Sequence, residues 1–292
     1  MMKKKTIFMA LAVGLVMTAC EKQIMPDGET GGDDGNVRLT FIPTTADMST
    51  RGTVAIGDYF SRLAVQLFDE DGNKVFSQSK TQTKDDDDFG TLSVGLTSGT
   101  YTVVAVGHSS PVTPTIKSTE LVQFTAKDGV KNSDTFCHYG QVTVAENGGS
   151  HELRMNRLVA MVTFMFTDDA MPDGYAGLRV EYSGGSANFN PSTGEGCTKS
   201  NQTETRGNRV TQCQVFTFPY LATECKLKMT LVALDGDGNN INTKVLSDVP
   251  VTRNRITRCT GQLFGDGNFD VIQTNFGLTV NGDWEGEDQY SF

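Results

Sequence analysis

The stretch "SRLAVQLFDEDGNKVFSQS" (Ser61 to Ser79) decides the fold class. Leu63, Val65 and Leu67 alternate with smaller or polar residues, the two-residue period of a strand that buries one face. Asp71-Gly72 follows, a dipeptide that reaches the positive φ of a hairpin turn, and a second strand is expected through Val75. The same grammar recurs on both sides of this stretch. Val37, Leu39 and Phe41 alternate with Arg38 and Thr40 up to Pro43. "TLSVGL" and "TYTVVAVG" repeat the alternation around Ser98-Gly99. In "KLKMTLVALDGDGNNINTKVL", Leu227, Met229 and Leu231 face inward, Lys226, Lys228 and Thr230 face out, and a Gly-rich turn leads to another strand. With 31 glycines and no long stripe of 3.6-residue period, the chain reads as all-β, and evenly spaced short strands indicate β-sandwiches.

"RLVAMVTFMF" (Arg157 to Phe166) is different, being apolar on both faces: Val159, Met161 and Met165 on one, Ala160, Val162, Phe164 and Phe166 on the other. Such a strand must be covered on both sides and is expected at the centre of its domain. Polar "AENGG" just before it breaks the apolar pattern, either as a domain boundary or as a long turn within one domain. The organisation expected is a signal peptide over 1–19, a tether over 20–36, and β-sandwich domains over 37–148 and 149–292.

The N-terminus carries its own message. Lys3 to Lys5 precede an apolar core from Ile7 to Val16, about ten residues long. A helix needs ~20 apolar residues to cross a bilayer, so this segment reads as a secretory signal. Met17-Thr18-Ala19-Cys20 matches a lipobox, in which the Cys20 thiol is acylated with diacylglycerol and becomes the new N-terminus. Each buried CH₂ contributes ~0.8 kcal/mol, so two or three chains hold a protein at a membrane. The following "EKQIMPDGETGGDDGN" has too little apolar surface to order itself.

The chain has 25 Lys and Arg against 35 Asp and Glu, net −10, and without the three lysines of the signal it is −13. Phosphate backbones and anionic headgroups repel such a surface, which argues against nucleic-acid partners and leaves the lipid as the membrane attachment. Besides Cys20 there are Cys137, Cys197, Cys213, Cys225 and Cys259. An odd number leaves at least one thiol free or paired between chains, and bridges, where formed, are expected in the C-terminal half.

Signatures of chemistry are scarce. Asp69, Asp71 and Asn73, and again Asp235, Asp237 and Asn239, resemble calcium loops but lack the distal bidentate Glu and sit where hairpins need Asp-Gly. The four aspartates of "KDDDDFG" repel one another and favour a solvated loop. Nucleophile-elbow, zinc-protease, P-loop and dinucleotide motifs are missing, and Cys-x-x-Cys is absent. The chain has one tryptophan, Trp284, and no evident aromatic platform for sugars. The reading is a non-enzymatic protein with no cofactor, no metal and no small-molecule substrate.

Five stretches together resemble the FimB/Mfa-type fimbrial anchor subunits of Bacteroidales: "DYFSRLAVQLFDEDGNKV", "CHYGQVTV", "NRLVAMVTF", "VPVTRNRITRCTGQLF" and "FGLTVNGDWEGE". The resemblance implies two transthyretin-like β-sandwiches, outer-membrane lipidation at Cys20, attachment of a fimbrial shaft and a limit on its length. It also implies fimbrial subunits as partners through strand exchange. In shaft pilins of this type, cleavage after an arginine following the first strand removes that strand and opens a groove for a neighbour's strand. Here that arginine is Arg51 in "STRGT", which reads equally as an ordinary loop residue. Cutting there would discard Cys20 with the strand, so retention makes an anchor and cleavage makes a shaft or tip subunit. Phe276, Leu278 and Val280 alternate, either as a donated strand or as the last strand of the second sandwich. A surface glycan-binding lipoprotein is the remaining alternative, and the acids after Cys20 leave open whether the protein faces outward or the periplasm.

Overall fold

The computed structural model describes residues 35–44, 55–125 and 132–273. Cys20, Arg51, the tether before residue 35 and the tail from residue 274 lie outside them. The strands run β1 (Val37–Pro43), β2 (Arg62–Phe68), β3 (Lys80–Thr83), β4 (Thr91–Val94), β5 (Gly99–His108), β6 (Thr115–Ser118), β7 (Leu121–Gln123), β8 (Thr135–Val144) and β9 (Gly149–Arg157). They continue as β10 (Ala160–Phe166), β11 (Gly177–Ser183), β12 (Asn188–Asn190), β13 (Glu195–Gly196), β14 (Gln202–Gly207), β15 (Gln212–Thr217), β16 (Glu224–Leu234), β17 (Asn240–Thr252), β18 (Ile256–Gly261) and β19 (Asp270–Gln273). One turn of 3-10 helix, Ile56–Asp58, is the only helix among the described residues.

The first sandwich is a single sheet in the order β3-β2-β5-β8-β9-β1-β4, folded at β9. This strand pairs with β8 only at Phe136–Arg157 and Cys137–Asn156, and along the rest of its length runs parallel to β1. The two arms enclose a core in which Leu63, Val65, Leu67, Val103 and Ala105 face Val37, Leu39, Phe41, Leu153 and Met155. The second sandwich stacks β15-β10-β18-β19 on β14-β11-β16-β17. Its core takes Val162 and Phe164 from one sheet and Leu227, Met229 and Leu231 from the other, the faces expected from their alternation. β10 is central, flanked by β15 and β18. Each sandwich thus has one parallel pair, β1 with β9 and β10 with β18.

Where pairing is non-local, the structure departs from the sequence reading. The second arm of the Ser61–Ser79 hairpin is not a strand. Phe68 bridges Lys74, and the Val75 amide donates to the Leu67 carbonyl at 2.8 Å, but the ladder stops there. The fully buried Gln66 takes over: its Nε2 donates to the Phe76 carbonyl (3.0 Å) and its Oε1 accepts from the Phe76 amide (3.2 Å). Strand pairing with β2 resumes only at β3. Likewise β4 and β5 flank Ser98-Gly99 without pairing to each other; β4 joins β1, and β5 joins β2 and β8. The division expected at residues 148 and 149 falls inside the β8–β9 turn, where Ala145 bridges Gly148. Leu153 and Met155 of β9 belong to the first core, and the second begins at Ala160.

A third layer joins the two sandwiches. β6, β7, β12 and β13 form a small sheet in the order β13-β12-β7-β6 over the outer face of β2 and β5. Ala64, Phe68, Val104 and Val106 there meet Ile116, Val122, Leu158, Val159, Phe189 and Phe218. β2 is therefore buried on both sides. Arg157 pins the same joint: it makes a bidentate ion pair with Asp134 (2.8 and 2.9 Å), donates to Asn254 Oδ1 (3.2 Å) and lies 4.6 Å over the Phe136 ring. Burial raises the Asp134 pKa, an effect the guanidinium opposes.

His108, at the end of β5, is 1% exposed, edge-on to Phe124, and its Nδ1 has no partner. Burial, with the Arg62 charge adding to it, lowers its pKa from 6.5 to about 4. The folded state therefore resists the proton that the unfolded chain accepts. Stability is complete above pH 6.5, falls as pH drops from 6.5 to 4, and is level in this respect below 4. The loss is of the order of 3 kcal/mol. Urea unfolding between pH 7 and 4 is expected to show this slope, and His108→Gln is expected to flatten it.

Candidate functional site: the first strand and its seat

The element on which the strand-exchange expectation turns is β1, the first described strand after Cys20 in the sequence. Val37 and Leu39 are 0% exposed and Phe41 is 3%, while Arg38 is exposed. Burying three such side chains contributes roughly 5–9 kcal/mol, the size of a whole domain's net stability of about 5–15 kcal/mol. Both backbone edges are used. Val37 to Thr40 pair antiparallel with Val94 to Thr91, and Val37 to Pro43 pair parallel with Gly149 to Met155. At the end of the strand, the Thr44 amide donates to the Met155 carbonyl at 2.7 Å.

The strand entrance is clamped. The Asn36 side chain behaves like one more peptide unit: Nδ2 donates to the Leu96 carbonyl, and Oδ1 accepts from the Leu96 amide, both at 2.8 Å. Its backbone carbonyl accepts from the Gly149 amide at 2.9 Å. Gly148, at φ +76°, lies so close that a β-carbon would fall 1.8 Å from this carbonyl. No side chain fits there, so "AENGG" needs glycine to let β1 enter the sheet.

Other residues singled out in the sequence resolve as structure. Asp69 Oδ1 accepts from the amides of Asp71 (3.0 Å) and Asn73 (2.8 Å), with Gly72 at φ +80°. Asp235 repeats this with Asp237 (2.9 Å) and Asn239 (2.8 Å), with Gly238 at φ +83°. Side-chain and backbone hydrogen bonds from Asn239 hold the Asp235 pKa below its usual value. Both loops are carboxylate-nucleated turns whose oxygens are already engaged. Among the described residues, no three metal-ligating side chains come together. Asp86 of the acidic run accepts from the Thr83 amide at 2.6 Å and closes the loop after β3.

The five later cysteines are unbridged. Cys213 and Cys259 both stand opposite Phe164, one on each side of β10. Two ladder spacings of ~4.8 Å separate their backbones, beyond the span of a disulfide. Burial pushes both thiols up to about 12 and Cys137 higher still, leaving them unreactive. No helix among the described residues is long and apolar enough to cross a membrane.

The sequence profile of a family of unknown function, DUF6562, matches residues 29–292. The chain belongs to this family. No curated protein matches it. Among solved structures, a candidate adhesin from Bacteroides ovatus is 13% identical with a TM-score of 0.50, covering 87% of this chain and 95% of that one. The fimbrial anchor protein Mfa2 from Porphyromonas gingivalis is 12% identical (TM-score 0.44, 87% and 99% covered). A fimbrial assembly protein from Parabacteroides distasonis is 14% identical (0.46, 82% and 94%). At these identities the likeness is one of fold, and the adhesin shares the all-β architecture described above.

The seat of β1 makes a local forecast. Asn36→Ala removes two hydrogen bonds and is expected to cost about 1–2 kcal/mol. Gly148→Ala, which forces the strand entrance apart, is expected to cost more than Asn36→Ala. Equilibrium denaturation of the two variants against the parent gives both values and their order.

Proposed function

We propose that the protein is a non-enzymatic structural lipoprotein that anchors a fimbrium to the outer membrane and limits its length. One observation carries this reading: the strand that follows the lipobox cysteine is the strand whose loss would open the first sandwich. From Cys20 a short polar tether leads directly to Asn36 and β1. Acyl chains on Cys20 and a retained β1 belong together, because cleavage after Arg51 removes both. A molecule that keeps them is held at the membrane and has its own strand in the seat between β4 and β9. It therefore does not accept a strand there, and subunit addition stops at that face.

The partners in this reading are other fimbrial subunits, and the anionic surface gives nucleic acid no purchase. The second reading, a shaft or tip subunit, is favoured by Arg51 alone. In that case β1 leaves, and a neighbour's strand must supply the roughly 5–9 kcal/mol that Val37, Leu39 and Phe41 contribute.

Mass spectrometry of the protein from outer membranes decides between them. The anchor predicts an acylated Cys20 N-terminus with residues 37–43 present, and Cys20→Ala is expected to release the protein from the membrane. An N-terminus at Gly52 would overturn the anchor in favour of the cleaved subunit. The seat itself is tested separately: a chain beginning at Gly52 is expected to lose cooperative unfolding, and a synthetic peptide of residues 36–44 is expected to restore it.

A further inference from the structure

Away from β1, three separate parts of the chain meet at one concave place. On the outer face of β8, Cys137 is buried under the third layer, but Tyr139, two residues on and on the same face, is 43% exposed. Asn156 of β9 stands opposite Cys137 and so shares that face. Against them come the turn 191–194 between β12 and β13 and the turn at Arg253 and Asn254 between β17 and β18. Together they line an open cleft of about 420 Å³, within the ~300–1,000 Å³ of small-ligand sites.

The walls are held in place by their own bonds. Gly194, at φ +73°, would carry a β-carbon 2.4 Å from Arg253 Nη1, so a side chain there would displace the guanidinium. With glycine, Arg253 lies against the turn and Nη1 donates to the Thr193 carbonyl at 2.9 Å. Asn190 Oδ1 accepts from the Ser192 amide (2.9 Å) and hydroxyl (2.7 Å) and shapes the same turn. Asn254, at φ +58°, is fixed by the Arg157 guanidinium, which donates to its Oδ1 at 3.2 Å. The lining thus offers one exposed aromatic ring, a guanidinium engaged through one nitrogen, the Asn156 amide and the Ser192 and Thr193 hydroxyls, and among the described residues it holds no carboxylate.

That combination has a specific complement. A sugar ring carries a small apolar C–H face and a rim of hydroxyls that both donate and accept, so one aromatic ring beside amide, hydroxyl and guanidinium groups answers both parts. A protein partner calls for a wider apolar centre, and the anionic surface repels nucleic acid. We propose that this cleft binds a short saccharide, with its ring face on Tyr139 and its hydroxyls on Asn156, Arg253 and the 191–194 turn. The paired acids of a glycosidase are not in the lining, so the saccharide is a ligand and not a substrate. Tyr139 and Arg253 are far apart in the sequence, and only the folded joint between the sandwiches makes the platform. The inference is independent of lipidation at Cys20.

Saturation-transfer NMR of the full chain against a panel of neutral and uronate-bearing di- and trisaccharides at millimolar concentration is expected to reveal at least one binder. Its affinity is expected to fall about ten-fold or more in Tyr139→Ala and in Arg253→Ala, and to stay within about three-fold of the parent in Tyr139→Phe, which keeps the ring. Val245→Ala, exposed on β17 and outside the cleft, is expected to leave it unchanged. Circular dichroism of each variant checks that the modules stay folded. Absence of any binder in the panel would overturn the proposal. A binder indifferent to Tyr139→Ala would place the sugar elsewhere and overturn it too. Equal loss in Tyr139→Phe and Tyr139→Ala would show that the ring is not the platform, which again overturns it.

Discussion

The rest of the first sandwich depends on a parallel pairing between the first strand of the module and its last. β1 lies between β4 and β9, and β9 is where the sheet folds from one layer to the other. Without β1, the β4 ladder and the β9 ladder each lose a partner, and the core loses three fully packed side chains at once. The contribution from those side chains matches the margin by which a domain is stable. Such a strand is part of the module's framework and not an incidental N-terminal extension.

How much of this was legible in the sequence follows from the range of each interaction. Alternation is local, so the inward faces of β1, β2 and β16 and the two Asp-x-Asp-Gly-Asn turns were readable directly. Partner choice is not local. Nothing in "TLSV" says that it pairs with residues more than fifty positions earlier instead of with its neighbour β5. The second arm of the first hairpin was misread because Gln66, polar in sequence, supplies a strand's hydrogen bonds from a side chain. The same residue disguised the burial of β2 on both faces, since Ala64, Gln66 and Phe68 do not read as a core row. The site was half-legible: β1 was visible as the first strand, but the clamp at Asn36 and Gly148 was not, because "AENGG" looks like a boundary until its glycine is seen against the Asn36 carbonyl.

The two sandwiches use the same closure with different consequences. β10 pairs parallel with β18 and antiparallel with β15, as β1 pairs with β9 and β4. Yet β10 is fixed at both ends. Before it, Leu158 and Val159 are packed in the joint between the sandwiches, and Arg157 is held by Asp134 and Asn254. After it, the Thr167 amide donates to the Gly261 carbonyl at 2.9 Å. Releasing β10 would mean dismantling the joint.

Among the described residues, only Gly35 and Asn36 precede β1. Asn36 clamps the strand entrance, and its bonds to Leu96 and Gly149 are ordinary hydrogen bonds, each with a net worth of about 1 kcal/mol. The strand is therefore secured along its length by packing and edge pairing, and at its entrance by one small amide and one glycine. A pull applied at residue 35 would meet the amide clamp first, and behind it a ladder on both edges of β1 that shares the load across many bonds. In the second sandwich, the equivalent strand carries the joint between modules and faces no free end. One topology thus yields a strand held by its own packing and edge pairing, and another that also carries the joint between the two modules.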